Sequence, residues 1–496
     1  MNKGLTNLIE IIGYSLVLLI ATGIAYVIVL YVIDITQTRH TIRRNYPVIG
    51  RLRYVFEDMG VFFRQYFFAM DRDELPFNRA QRSWVYRAAK NVDNTVAFGS
   101  TRDLRQPGTI FFVNCPYPIL ETDVAEPGPI VFGPTAAHPY STDRFFHISG
   151  MSYGALSKPA VLALSNGARI AGSWLNTGEG GLSPYHLEGG ADIVFQIGTA
   201  KNGVRTLDGA LDEAALKQVA EHPQVKMFEI KLSQGAKPGK GGILPAAKVS
   251  DEIAEIRGLR RGEDAISPNR HPEIDNDNAL LDFVARVKRV TGKPVGCKFV
   301  LGAYGWLDVI LREINHRGAA EAPDFFTIDG AEGGTGAAPM SLIDNLGLPL
   351  RESLPLVVDK LHEYGLKERI RVIASGKLIT ATGVAHALCL GADAIVSARG
   401  FMFALGCIQA LQCNKNTCPT GITTHDYKLQ RGLVPADKAV RVANYVRNVH
   451  KEVGIIAHSC GVREPRRLRR MHAREVTSNL NSFSLDELFP GPPAKN

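Results

Sequence analysis

The stretch Phe145-Phe146-His147-Ile148-Ser149, followed by Gly150-Met151-Ser152-Tyr153-Gly154-Ala155-Leu156-Ser157, sets a pattern that the chain then repeats. A short apolar run ends in glycine and small polar residues, and helix-like sequence follows. Short apolar runs bounded by turn residues read as strands buried on both faces, as in a parallel sheet covered by helices. Seven more such runs are found, at Ser173–Thr177, Ile193–Ile197, Met227–Leu232, Pro294–Val300, Phe325–Asp329, Arg371–Ser375 and Ala394–Ala398. Eight strands alternating with helices predict an α/β fold, a closed TIM (β/α)8 barrel.

In such a barrel the chemistry sits on the loops that leave the C-terminal strand ends. Here those loops are rich in glycine: Gly178-Glu179-Gly180-Gly181, Ser233-Gln234-Gly235-Ala236-Lys237-Pro238-Gly239-Lys240-Gly241-Gly242, Gly330-Ala331-Glu332-Gly333-Gly334-Thr335-Gly336, Gly376-Lys377 and Arg399-Gly400. One such loop needs no more than a tight turn, but several on one rim suit a large flat or phosphorylated ligand that backbone amides approach closely. Gly376 and Gly400 follow strands seven and eight, the usual phosphate position. Lys298 ends an otherwise apolar fifth strand, where an unpaired ammonium is costly. It is satisfied either by the negative charge of a reduced flavin or by a rim carboxylate such as Glu179.

Cys407, Cys413 and Cys418 form a Cys-x5-Cys-x4-Cys loop closed by Pro419. Three thiolates in one loop suit a three-iron cluster, or a four-iron cluster with one open iron; the plainer reading is three buried thiols. The other cysteines, Cys115, Cys297, Cys389 and Cys460, lack framework spacing, and the total of seven is odd. A disulfide scaffold is therefore not expected, and the compartment reads as reducing.

No charged residue occurs from Ile11 to Ile33, a run long enough to cross a bilayer as a helix. Arg39, Arg43, Arg44, Arg51 and Arg53 follow it and only Lys3 precedes it, so the positive-inside rule predicts a single-pass protein of the inner cell membrane with its bulk facing the cytoplasm. The expected organisation is a short tail (1–10), the span (11–33), and a juxtamembrane segment that is partly helical and partly extended (34–142). The barrel (143–475) carries the cysteine loop (407–418), and a C-terminal tail (476–496) follows. Within the juxtamembrane segment a helix is expected from Val55 to Met70. Part of the formal net charge of +8 lies in a second cluster at Arg463, Arg466, Arg467, Arg469, Arg470 and Arg474. It reads as a solvated helix face, or as a docking patch for an acidic electron donor. Nothing resembles a nucleic-acid-binding motif.

Five ordered motifs then identify a resemblance. Met151–Ser157, Asn176-Thr177-Gly178-Glu179-Gly180-Gly181, Lys231–Gly239, Gly333-Gly334-Thr335-Gly336-Ala337 and the cysteine loop resemble the FMN-binding synthase domain of glutamate synthase, from about Phe145 to His425. The resemblance implies FMN in the barrel beside a 3Fe-4S cluster. An external donor, ferredoxin or another reductase, would feed electrons through the cluster to the flavin, which reduces 2-iminoglutarate, formed from 2-oxoglutarate and ammonia, to L-glutamate. It places FMN at Met151, Ser152, Gln196, Lys298, Gly334, Gly376, Arg399 and Gly400, and substrate at Glu179, Lys237 and Arg257. Catalysis falls to Glu179, Lys237 and Lys298, and iron to Cys407, Cys413 and Cys418. Arg257 could equally form a surface pair with Glu255.

The departures concern the substrate loops. Ile243 stands where the family has glutamine, and Pro268-Asn269-Arg270-His271-Pro272-Glu273 replaces a Pro-Pro-Pro-His-His-Asp stretch. The sequence begins Met-Asn without a cysteine nucleophile and shows neither an amidotransferase domain nor a β-helix, so ammonia is expected from elsewhere. A related imino or oxo acid is then an alternative substrate, and an altered barrel serving electron transfer or binding is the alternative function.

Overall fold

The computed structural model describes residues 3–260, 262–303 and 305–492. Its centre is a closed barrel of eight strands in sequence order: Phe146–Ile148, Leu175–Asn176, Ile193–Ile197, Val225–Lys231, Val295–Phe299, Phe325–Asp329, Arg371–Ser375 and Ala394–Ser397. All eight pairings are parallel, and the eighth strand closes on the first through Ile395↔Phe146 and Ser397↔Ile148. Seven of the eight predicted runs contain their strand; the fourth strand starts two residues before the predicted run, at Val225. The fourth and fifth strands pair directly, Val295↔Phe228 to Lys298↔Lys231, although a long insertion separates them. That insertion carries the hairpin Ile243–Leu244 with Ala265–Ile266 and the helix Asp251–Arg257.

Local chemistry sets the turns between strands. The helix Lys158–Ala171 after the first strand is capped by Ser157, whose hydroxyl accepts from the Ala160 amide, and has proline in its first turn. It stops at Gly172 in the left-handed region, φ 67°. A side chain on Gly167 of this helix would collide with Val442 of the long helix Pro435–Ser459, so glycine permits the two helices to touch.

The N-terminal end of the barrel is shut. The segment expected to be partly extended includes a hairpin near its end, Ile130–Phe132 with Tyr140–Thr142. It inserts Phe132 and Tyr140 among Trp174, Val194, Met227, Phe325 and Ile373, which lie near the N-terminal ends of their strands. Phe132 is fully buried and meets Trp174 and Phe325 edge-on at 5.6 and 5.8 Å between ring centroids. Among the described residues the barrel is thus left open at its C-terminal mouth.

The chain divides into two compact units, Met1–Ala80 and Gln81–Asn496, a boundary inside the predicted juxtamembrane segment. In the first unit the helix Lys3–Thr36 is long and apolar enough to cross a membrane. At its end the buried Asp34 carboxylate accepts from the Arg51 guanidinium at 2.7 and 2.8 Å and from the Val48 amide at 3.0 Å. The expected helix begins earlier than predicted, running Gly50–Phe63 and ending in one π-helical turn at Arg64–Phe68.

In the second unit Ala473–Val476 and Ser482–Ser484 join Ile110–Phe112 in a three-stranded antiparallel sheet, so the expected tail is partly strand. Of the C-terminal arginines, Arg463, Arg467 and Arg469 are exposed, but the other three do not belong to a free solvated face. Arg466 donates to backbone carbonyls of Gly128, Asp143 and Arg144, Arg470 pairs with Asp359 at 2.6 Å, and Arg474 binds Ser482. Replacing Phe132 with alanine opens the barrel floor and is expected to cost about 3–5 kcal/mol. Chemical denaturation followed by tryptophan fluorescence checks this, because Trp174 packs against the lost ring.

Candidate functional site

The open mouth holds a cavity of about 430 Å³, within the range of small-molecule sites. Met151 and Ser152 reach it from the loop after the first strand, Glu179 from the second, Gln196 from within the third, and Lys231, Gln234 and Lys237 from the fourth. Arg257 comes from the insertion, Gly334 and Thr335 follow the sixth strand, Arg399 follows the eighth, and Cys413 belongs to the cysteine loop. Nine of the predicted site residues thus share one wall: Met151, Ser152, Glu179, Gln196, Lys237, Arg257, Gly334, Arg399 and Cys413.

Lys298, Gly376 and Gly400, with Cys407 and Cys418, lie outside that lining. Lys298 is buried and its ammonium stands 3.7 Å from Asp329, so its carboxylate is Asp329 rather than the expected Glu179. Gly376 takes φ 146°, and a side chain there would press on the Gly330 backbone at 3.3 Å. Gly400 is buried against the Tyr445 hydroxyl, which accounts for glycine there by packing.

Glu179 is the anionic centre of the mouth. Burial opposes its charge, but Lys231 at 3.0 Å, with Lys237 and Arg257 beyond, outweighs that opposition and holds its pKa below the ordinary carboxylate value. Lys231 also donates to the Gln234 side chain at 2.7 Å. Burial lowers the pKa of Lys237 against the pull of Glu179. Arg257 is buried, not a surface partner of Glu255, and its Nη2 donates to Tyr153 O at 3.0 Å and Ser152 Oγ at 3.3 Å. Burial brings its pKa down to about 10, so it stays a cation at neutral pH. Its Nε finds no partner among the described residues.

Beneath this lies a carboxylate outside the sequence motifs. Glu229 is buried in the fourth strand and accepts from Asn176 Nδ2 at 2.9 Å, Gln196 Nε2 at 2.6 Å and Thr327 Oγ1 at 2.6 Å. Because the Gln196 Nε2 donates to it, Glu229 fixes that amide with its oxygen turned away. The signal was present: Glu229 is the one acidic residue inside the apolar run Met227–Leu232.

The cysteine loop adjoins the same cavity. Among the described residues no three His, Cys, Asp or Glu side chains gather closely enough to hold one metal ion. A cluster makes a different demand, since its cysteines bind different irons and stand farther apart than ligands of a single ion. Each sulfur faces a hydrogen-bonding group: Cys407 the Gln409 amide at 3.4 Å, Cys413 Arg399 Nη1 at 3.5 Å, and Cys418 the Thr420 hydroxyl at 3.4 Å. Gln409, Leu411 and Asn416 all adopt positive φ, between 55 and 61°, a density of left-handed non-glycine residues typical of loops shaped for a ligand. Burial pushes the Cys407 thiol up to about 11, whereas at Cys418 the Thr420 and Thr423 hydrogen bonds overcome burial and lower it. The donor set and its cations fit an iron–sulfur cluster.

Lys248, also missed in the sequence, packs against this loop. It is 3% exposed and donates to Cys413 O at 3.0 Å and Ala155 O at 3.3 Å. Burial brings its pKa to about 8, partly offset by the Cys413 and Cys418 thiols.

Residues 116–463 match the family described as the conserved region in glutamate synthase. The chain belongs to that family. The glutamate synthase large subunit-like protein YerD of Bacillus subtilis (strain 168) is 39% identical over 523 aligned positions, covering 98% of this chain and 99% of the relative. The archaeal glutamate synthase [NADPH] of Methanocaldococcus jannaschii is 36% identical over 69% of this chain and 64% of its own length. The archaeal-type glutamate synthase [NADPH] of Thermotoga neapolitana is 34% identical over 65% of this chain and 60% of its own length. The chain therefore matches less than two thirds of either NADPH-named relative.

A Glu179→Gln substitution would leave Lys231, Lys237 and Arg257 without their shared anion. Because the native carboxylate has a depressed pKa, its stabilisation is present above the ordinary value of 4.5 and is lost as pH falls through the lower folded value. The variant should be less stable at pH 7 by about 1–2 kcal/mol, after allowance for partial solvent access, and the deficit should shrink in acid. Urea unfolding of both proteins across pH 3–8 measures it.

Proposed function

We propose that the chain is a membrane-anchored oxidoreductase that uses FMN and an iron–sulfur cluster, a 3Fe-4S cluster by the three-cysteine count. It takes electrons from an external donor, ferredoxin or another reductase, to reduce 2-iminoglutarate or a related small imino or oxo acid. The reading rests chiefly on one observation: flavin-type glycine loops, a group of cations and Cys413 line a single cavity. The glutamate synthases among its relatives support the same reaction class.

The residues present fit FMN. Met151, Ser152, Gln196, Gly334 and Arg399 would hold it within the cavity, with Lys298, Gly376 and Gly400 behind them. A side chain at Gly150 would stand 3.0 Å from both Asn176 Oδ1 and Gln196 Nε2, and one at Gly334 3.1 Å from Arg399 Nε, so glycine keeps these groups open to a ligand. When bound, the flavin supplies hydride transfer and the cluster on Cys407, Cys413 and Cys418 supplies one-electron chemistry.

The protein's own groups do the rest. Lys237 and Arg257 would pair with substrate carboxylates, Arg257 in a planar fork. Glu179 keeps both cations in place before substrate arrives. Burial lowers the Lys237 pKa from 10.5, which suits its Nζ to give a proton to an imine nitrogen. Ile243 and Ile266 oppose each other across the insertion hairpin and line the mouth, favouring a substrate that presents some apolar surface there.

Three measurements test the reading. Anaerobically reduced protein mixed with 2-oxoglutarate and ammonium should regain its oxidised flavin absorbance, and reduced flavin inert to every imino and oxo acid offered would overturn the catalytic assignment. Cys413→Ser should abolish the low-temperature spin signal while flavin remains, whereas full iron retention would remove Cys413 from the ligand set. Deleting residues 1–34 should release coloured protein from membranes after a high-salt wash, and continued sedimentation would place the anchor elsewhere.

A further inference from the structure

Lys248 has an electrostatic problem that the fold leaves unsolved. Its side chain is almost wholly buried, yet among the described residues no carboxylate forms an ion pair with it. Two carboxylates of the same mouth are committed to other groups. Glu252 accepts from the Tyr153 and Tyr185 hydroxyls, and Glu179 is held by Lys231. Among the described residues the ammonium bonds to the Ala155 and Cys413 carbonyls, which are neutral. Buried charge without a counter-charge is strongly unfavourable, so the site is balanced only if an anion stands beside it. The one anionic group that the local chemistry provides is a thiolate-ligated cluster, and Lys248 touches the backbone of its central cysteine.

Position strengthens the argument. Lys248 lines the cavity and joins two loops, the one after the first strand through Ala155 and the cysteine loop through Cys413. Arg399 approaches Cys413 as well, with Nη1 at 3.5 Å from its sulfur, but Arg399 also bonds the Thr335 carbonyl and the Met402 sulfur. Two cations thus converge on Cys413, and Lys248 has no other charged partner to serve.

We propose that Lys248 is the counter-cation of the iron–sulfur cluster, a positioning residue that raises the cluster's reduction potential and braces Cys413 against the flavin-side loop. The proposal rests on the cluster assignment above. A fixed positive charge beside an iron–sulfur cluster favours the reduced, more negative state, so net local charge is one of the terms that set its potential. Lys248 would thereby make the cluster easier to reduce by an external donor.

The test uses the full chain, purified anaerobically as wild type, Lys248→Met and Lys248→Arg. Iron and labile sulfide per chain, the low-temperature spin signal, and the midpoint potentials of cluster and flavin from a redox titration are measured for each. The expected result is a cluster midpoint moved to more negative potential in Lys248→Met, a smaller shift of the flavin, and a return towards the wild-type value in Lys248→Arg, which keeps the charge. An unchanged cluster midpoint in Lys248→Met at full iron content overturns the proposal. Iron loss in Lys248→Met that Lys248→Arg restores supports it, because charge and not shape is then what the cluster needs. Iron loss in both variants shows a packing role and overturns it. Wild-type protein without iron is a separate outcome, which refutes the cluster assignment itself.

Discussion

The direct parallel pairing of the fourth and fifth strands is the constraint on which the rest depends. Val295–Phe299 meets Val225–Lys231 in register, and only then does the eighth strand return to the first and close the ring. Closure of parallel strands forces all C-terminal ends onto one rim, and the Phe132 hairpin blocks the other end. The long insertion between these strands leaves from that rim, and the chain returns through the helix Asp277–Thr291 to the opposite end, where the fifth strand starts. Its hairpin, Lys248 and Arg257 are therefore delivered to the mouth, where residues far apart in sequence line one cavity.

Charge in that mouth is balanced in layers. Glu229 lies deepest, held by neutral donors that orient Asn176 and Gln196. Above it Glu179 is the shared anion of Lys231, Lys237 and Arg257, an excess of positive charge that suits an acidic substrate. Beside the cysteine loop, Lys248 and Arg399 bring further positive charge without a carboxylate partner among the described residues. The gradient from neutral donors to unpaired cations follows the direction in which anionic ligands would be placed.

The strands and the loop motifs were legible because both depend on short-range pattern. Apolar runs such as Ile193–Ile197 and Phe325–Asp329 are buried on both faces and read as such, and glycine-rich loops announce close backbone approach. The C-terminal arginines were not legible. A run of like charges looks solvated in sequence, whereas Arg466 and Arg470 spend their donors on carbonyls and a carboxylate brought in from remote segments. Lys298 was placed correctly at its strand end, but its partner, Asp329, depended on which strand became its neighbour.

Sequence by itself determined the barrel, the apolar N-terminal helix, the cysteine spacing and nine of the residues that line the mouth, because each is written in periodicity or in a contiguous motif. Tertiary structure alone decided that Glu179 belongs to Lys231, that Glu229 orients Gln196, that Gly400 serves packing, and that Lys248 lies against Cys413. These are contacts between segments tens to hundreds of residues apart. Their energies arise from burial and from the distance between charges, and neither quantity exists until the ring of strands has closed.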